Sequence, residues 1–316
     1  MTIPDSVTTI DNSAFSGCSA LTSVTMPTTA IKHIPKTNLQ TVVITSGSSI
    51  GSFRNCRKLT SITIPDSVTS IGGFAFSGCS NLMSITIPDS VTSIGGSAFY
   101  LCQALTSATI GNGVTSIGIA AFEGCSALTS VIMPTIAISY IPKTNLQTVV
   151  ITSGSSIGNE AFRSCSKLTS VTIGSGVASI GDRAFSDCSR LTSITIPDSV
   201  TSIGDRAFSG CSKLTSITIP DSVTSIGSFA FYGCSGLASI IIGSGVTSIG
   251  TYAFHDCDEL TNVYYKGTAE NWEDISIDSI NVYLEDATRY YYSETQPTGE
   301  GNFWHYDTDG VTPVAW

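Results

Sequence analysis

A leucine returns along most of this chain at a nearly fixed interval. Leu21, Leu39, Leu59, Leu82, Leu105, Leu128, Leu146, Leu168, Leu191, Leu214, Leu237 and Leu260 open successive units, and eight of the eleven intervals are 22 or 23 residues. A period in the twenties points to a solenoid of stacked turns. With the fragment at residues 1–20, about thirteen turns are expected. A single turn buries too little apolar surface to offset the entropy of ordering it, so each must rest on its neighbours.

Within one turn, Leu191, Ile194 and Ile196 give L-x-x-I-x-I, and from Ile194 the apolar residues alternate with Ser and Thr. Period two predicts a short strand with one buried face. Pro197-Asp198-Ser199 stops it; other turns use Gly174-Ser175-Gly176 or Gly111-Asn112-Gly113, all turn-forming. Val200 and Ile203 follow as a second apolar pair, and Gly204 bends the chain. The spacing of Ala207, Phe208 and Cys211 then predicts a turn or two of helix or 3-10 helix, with Asp205 as its N-cap.

Two turns are short. Leu21–Asn38 and Leu128–Asn145 have 18 residues and lack the Phe/Cys piece, and both are followed by LQTVVITSGSSIG. They mark a larger duplication with an offset of 107 residues.

Cys18, Cys56, Cys79, Cys102, Cys125, Cys165, Cys188, Cys211, Cys234 and Cys257 each stand three residues after a phenylalanine. Disulfides or a metal are alternatives, but no C-x-x-C pair exists, and one cysteine per turn at one register predicts a buried column of free thiols. No metal, cofactor or catalytic residues are assigned. His33, His255 and His305 sit in no ligand spacing, and His255-Asp256-Cys257 carries a column cysteine rather than a nucleophile. Asp307-x-Asp309-Gly310 lacks the other ligands of a calcium loop.

The net charge of −10 is uneven. Residues 256–316 hold 13 acidic and 2 basic residues, whereas residues 1–255 hold 11 and 12. There is no basic stripe, so no nucleic-acid partner is expected. No apolar run approaches a membrane span, so no membrane insertion is expected. Met1–Val7 aligns with Ile62–Val68, so the chain opens inside a repeat. A start truncated in mid-repeat is expected to leave an end prone to end-to-end self-association.

The pattern L-x-x-I-x-I-P-x-S-V-x-x-I-G-x-x-A-F-x-x-C resembles the BspA-like class of bacterial leucine-rich repeats, over residues 1 to about 265. The resemblance implies a leucine-rich-repeat solenoid of parallel strands. It also implies a cell-surface or secreted protein of gut anaerobes, in a family where a few members are adhesins. One departure is that Ser199 occupies the place where the common leucine-rich repeat carries Asn or Cys, so the usual Asn ladder is missing.

The solenoid is therefore placed at residues 1–265 and a C-terminal cap at 266–316. Eleven of the 27 aromatic residues lie at 261–316. A helix is expected at 269–275 and strands at 287–293 and 303–306, with a hairpin turn at Asp307–Gly310. The aromatics close the hydrophobic column; the alternative is a carbohydrate-binding platform.

The outward strand positions are mostly hydroxyls, such as Ser193/Thr195 and Ser216/Thr218. Val43, Ile132, Val150, Ile241 and Tyr264 interrupt them and are the candidate partner-binding residues, since exposed apolar patches mark contact sites. The expected function is non-enzymatic: an extracellular or surface adhesion module presenting an extended sheet to a protein or glycan. The alternative is a passive spacer or stalk for another domain, and an enzyme is a distant third.

Overall fold

The computed structural model describes residues 1–316, organised in two compact units, Met1–Thr152 and Ser153–Trp316. Each is a parallel-strand solenoid of the kind the leucine period implies.

In the first unit, strands Ser23–Met26, Thr41–Ile44 and Ser61–Thr63 pair in parallel. So do Ser84–Ile87, Ser107–Ile110, Ser130–Met133 and Thr148–Ile151. The two-residue strands Ser49–Ile50, Ser70–Ile71, Ser93–Ile94 and Ser116–Ile117 form a second ladder.

The second unit repeats the plan. Ser170–Ile173 pairs with Ser193–Thr195, and Ser216–Ile219 with Ser239–Ile242 and then Asn262–Tyr265. The short ladder runs through Ser156–Ile157, Ser179–Ile180, Ser202–Ile203, Ser225–Ile226, Ser248–Ile249 and Ser276–Ile277. Register is in step, so like residues meet: Ile217 faces Ile240 and Ile219 faces Ile242. Identical side chains therefore stack into continuous columns, each burying the face its neighbour leaves open.

The phenylalanines show this most clearly. Phe185 and Phe208 stack with centroids 5.4 Å apart, and Phe208 and Phe231 with centroids 5.3 Å apart, all fully buried. In the first unit the column is Phe53, Phe76, Phe99 and Phe122.

The Phe/Cys segments are not helical. Between Gly204 and Cys211, the amides of Ala207, Ser209 and Cys211 donate to Gly204, Arg206 and Phe208 three residues back. The alternate amides of Arg206, Phe208 and Gly210 donate instead to Ser228, Ala230 and Tyr232 in the next turn. Positive φ at Arg206 (56°) and Gly210 (75°) makes this alternation possible. A helix would spend every amide internally, whereas this run of tight turns keeps half of them to bind the next coil. The 3-10 helices lie in the two short turns, at Thr28–His33 and Thr135–Tyr140.

Asp205 is accordingly no N-cap. Its amide bonds to the Asp182 carboxylate at 3.0 Å, and its own carboxylate accepts from Ser228 N at 2.8 Å. Asn159 begins this column by accepting from Asp182 N. A second ladder replaces the missing Asn: Ser199 and Ser222 donate their hydroxyls to the carbonyls of Val177 and Val200 in the preceding turn, both at 2.6 Å. Threonines do the same, as when Thr115 donates to Thr92 and Thr92 to Thr69. Much of the hydroxyl content is therefore mortar between turns. The bend glycine has a packing reason as well in turns such as that of Gly118, where a Cβ would overlap the backbone of Gly96.

The ten cysteines are free, nine buried and Cys18 exposed. The buried thiols form a ladder of their own: Cys102 donates to Phe76 O, Cys188 to Phe162 O and Cys257 to Phe231 O, at 3.1 to 3.2 Å. Cys18 departs from the expected buried column. The short turn that follows is not the cause, since Cys125 stands before the equivalent short turn and is buried.

After Asn262–Tyr265 the second unit continues through helix Ala269–Glu273, where Thr268 and Asn271 form a reciprocal cap. A helix at Val282–Asp286 was not foreseen. Thr288–Tyr292 and Phe303–Tyr306 extend the sheet in parallel, and Pro313–Ala315 closes it antiparallel.

Candidate binding surface

The outward strand face of the first unit carries the candidate residues Val43, Ile132 and Val150. Ile132 lies directly across from Val150 on one side and Thr109 on the other. Ile132 is 38% exposed, and Val150 is half-buried beside it. They form one continuous apolar step on an otherwise hydroxyl surface. A shallow cleft of about 540 Å³ flanks it, lined by Thr86, Thr109 and Ile132 along the strands and by Asp66, Asp89 and Asn112 at the turns. Val43 pairs with Thr25 and Thr63 and is half-buried. It stands on the other strand set of the unit, away from the Ile132–Val150 step.

Ile241 and Tyr264 are neighbours in register, as expected, but they do not form an open patch. Ile241 is only 5% exposed. Tyr264 stacks on Tyr290 at 5.2 Å and meets the edge of Trp304 at 5.5 Å. The C-terminal aromatics close over this part of the face, so both residues serve packing within the unit. Sequence reasoning missed this because nothing in the strand pattern tells where a later, non-repeating segment returns.

The same segment builds a second cleft, of about 380 Å³. Thr195, Ser216 and Thr218 form its floor, and Tyr306, Gly310 and Val311 overhang it. The overhanging loop is braced by Asp309, whose carboxylate accepts from the amides of Val311 and Thr312, each at 2.8 Å, and from the Thr312 hydroxyl. Those bonds hold the Asp309 carboxyl below the usual range. Lys266 anchors the segment to Asp221 at 2.6 Å. Burial, the largest single influence, would depress the ammonium, but the Asp221 hydrogen bond together with the charges of Tyr306, Asp221 and Asp198 leaves the Lys266 pKa raised.

The C-terminal tryptophans are mostly enclosed. Trp304 is fully buried, with Nε1 donating to Tyr265 O at 2.9 Å. Trp272 is 4% exposed and lies beneath the Arg289 guanidinium at 4.2 Å. Rings in these positions are core, which argues against the flat sugar-stacking platform considered above.

No arrangement supports covalent chemistry at His255-Asp256-Cys257. The Cys257 thiol is bonded to Phe231 O, and burial pushes its pKa up to about 12, so a thiolate is not available at neutral pH. His255 lies 2.8 Å from Asp256 and flat against Tyr232.

No helix is long and apolar enough to cross a membrane. Among curated proteins, none matches the chain. Solved structures do. A leucine-rich cell surface protein from Faecalibacterium prausnitzii is 31% identical, with 88% of this chain and 90% of that one covered and a TM-score of 0.43. A leucine-rich repeat protein from Bacteroides ovatus is 26% identical, covering 92% and 91% at a TM-score of 0.40. One from Eubacterium ventriosum is also 26% identical, covering 85% and 77% at 0.37. The sequence model of the BspA type leucine-rich repeat region matches residues 1–48, 48–165 and 155–281, in six copies. With most of its length matched in this way, the chain belongs to the BspA-type leucine-rich repeat family.

Proposed function

We propose that this chain is a non-enzymatic adhesion module, exposed at a cell surface or secreted, that presents its strand face to a protein partner or glycan. The observation that carries the reading is the Ile132–Val150 step. An apolar pair stands side by side on a surface whose equivalent positions are Thr63, Thr86 and Thr109, with a cleft alongside. Apolar side chains exposed together on a preformed, rigid sheet cost little to dock against, because neither strand nor side chain must be ordered on binding. The cell-surface character of a solved relative supports the location.

In this reading residues 266–316 act as a cap on the solenoid body, with Trp272 and Trp304 filling the end of the column. An array of matrix proteins and glycans probed with wild type and with Ile132→Asp/Val150→Asp tests the assignment. The double variant is expected to lose at least tenfold in affinity at unchanged melting temperature. Silence of the wild type on every surface would favour a passive spacer instead.

A further inference from the structure

A second site lies away from the strand face, at the first short turn. The 3-10 helix Thr28–His33 replaces the bulkier Phe/Cys segment and leaves a notch of about 560 Å³. Lys32, His33 and Lys36 line it, together with the hydroxyl-bearing Thr8, Thr9, Thr28 and Ser49. None of the three basic side chains is engaged in an ion pair. The carboxylates of the neighbouring segment are occupied elsewhere: Asp5 accepts from the Thr45 hydroxyl and Asp11 from Ser13 N. Burial pulls the Lys36 ammonium below its ordinary pKa, as expected of a cation with no anion beside it.

The duplication supplies an internal control. At an offset of 107 residues, Ser139 and Tyr140 stand where Lys32 and His33 do, whereas Lys143 matches Lys36. The scaffold of the short turn therefore needs neither Lys32 nor His33. Both 3-10 helices have the same fold, the same proline before them and the same buried Ala-Ile pair, Ala30-Ile31 and Ala137-Ile138. The extra positive charge belongs to the first notch alone.

We infer that the notch at Lys32, His33 and Lys36 binds an oxyanion carried on a hydroxylated ring, that is, a sulfated or phosphorylated saccharide unit. Two ammonium groups and an imidazole line one notch and offer charge to the anion, and the threonine and serine hydroxyls beside them match the ring hydroxyls. The volume exceeds that of a bare sulfate and suits a sugar bearing one.

Titration calorimetry on the full chain tests this, with a sulfated disaccharide, a hexose phosphate, inorganic sulfate and the unsulfated disaccharide as probes. Saturable, salt-sensitive binding of a charged sugar, tighter than inorganic sulfate and absent for the unsulfated sugar, is expected; which charged sugar binds better separates the two sources. Lys32→Ser/His33→Tyr installs the residues of the second copy, so its folding is secure, and it should weaken binding about tenfold or more. Lys36→Gln should do likewise. Equal affinity for wild type and Lys32→Ser/His33→Tyr, or no binding of either charged sugar, overturns the assignment. Neither result bears on the strand-face reading, which rests on other residues.

Discussion

The thiol of Cys211 donates to the carbonyl oxygen of Phe185, 3.3 Å away in the preceding turn. Phe185 O lies at the base of a stacked ring, and the bond ties two columns of the core together. Each buried cysteine after the first in its unit has the same arrangement with the preceding phenylalanine, as Cys79 does with Phe53 and Cys234 with Phe208. The cysteine of the repeat is thus a small apolar residue with one weak donor, matched to the second lone pair of a carbonyl that already accepts an amide within its own turn, as Phe185 O does from Cys188 N.

Cys211→Ala should therefore destabilise the second unit by about 1–2 kcal/mol, through the lost bond and a small cavity. Urea denaturation followed by circular dichroism measures it. An unchanged midpoint would mean that the thiol contributes only bulk.

Alkaline pH should weaken the fold. Burial raises Cys211 and Cys257 from the ordinary thiol value of 9.0 to about 12. Each holds its proton more tightly folded than unfolded, so its contribution is complete below about pH 9 and falls as pH climbs toward 12. The loss is up to about 1.4 kcal/mol per pH unit for each such thiol. Denaturation midpoints at pH 8 and pH 10.5 should differ markedly, and the Cys211→Ala/Cys257→Ala variant should show a smaller difference.

The strand pattern was fully legible in the sequence. Leu214, Ile217 and Ile219 are buried as their period-two spacing requires. The Phe/Cys segment was not, because Ala207, Phe208 and Cys211 have helical spacing in a backbone that is a run of turns. The discriminating signal was the residue before cysteine, glycine at 78, 124, 210 and 233, which marks a positive φ incompatible with a helix. The hydroxyls outside the outward strand positions carried no such signal, yet Ser199 and Thr92 bond neighbouring turns. Ile241 looked open because its cover comes from a segment with no period.

Phe208→Ala should cost about 3–5 kcal/mol, since it opens the middle of a stack between Phe185 and Phe231. Hydrogen exchange should show lost protection in the adjoining turns on both sides. Loss confined to one turn would mean that the turns are energetically independent.

Trp304→Ala should release the C-terminal segment before the repeats unfold. The indole is buried and bonded to Tyr265 O, and it meets Tyr264, Tyr292 and Tyr306 edge-on. Limited proteolysis should then cut within residues 293–302 while residues 153–262 stay intact. Simultaneous loss of both regions would show that the segment is integral to the body.

Thiol labelling under native conditions, read by mass spectrometry, addresses the stacked and sealed interior most directly. A small maleimide should add once, at Cys18, with nine further additions only in denaturant. Multiple native additions, or intact masses lowered by sulfur–sulfur pairing, would contradict a core built from dry columns of unpaired thiols.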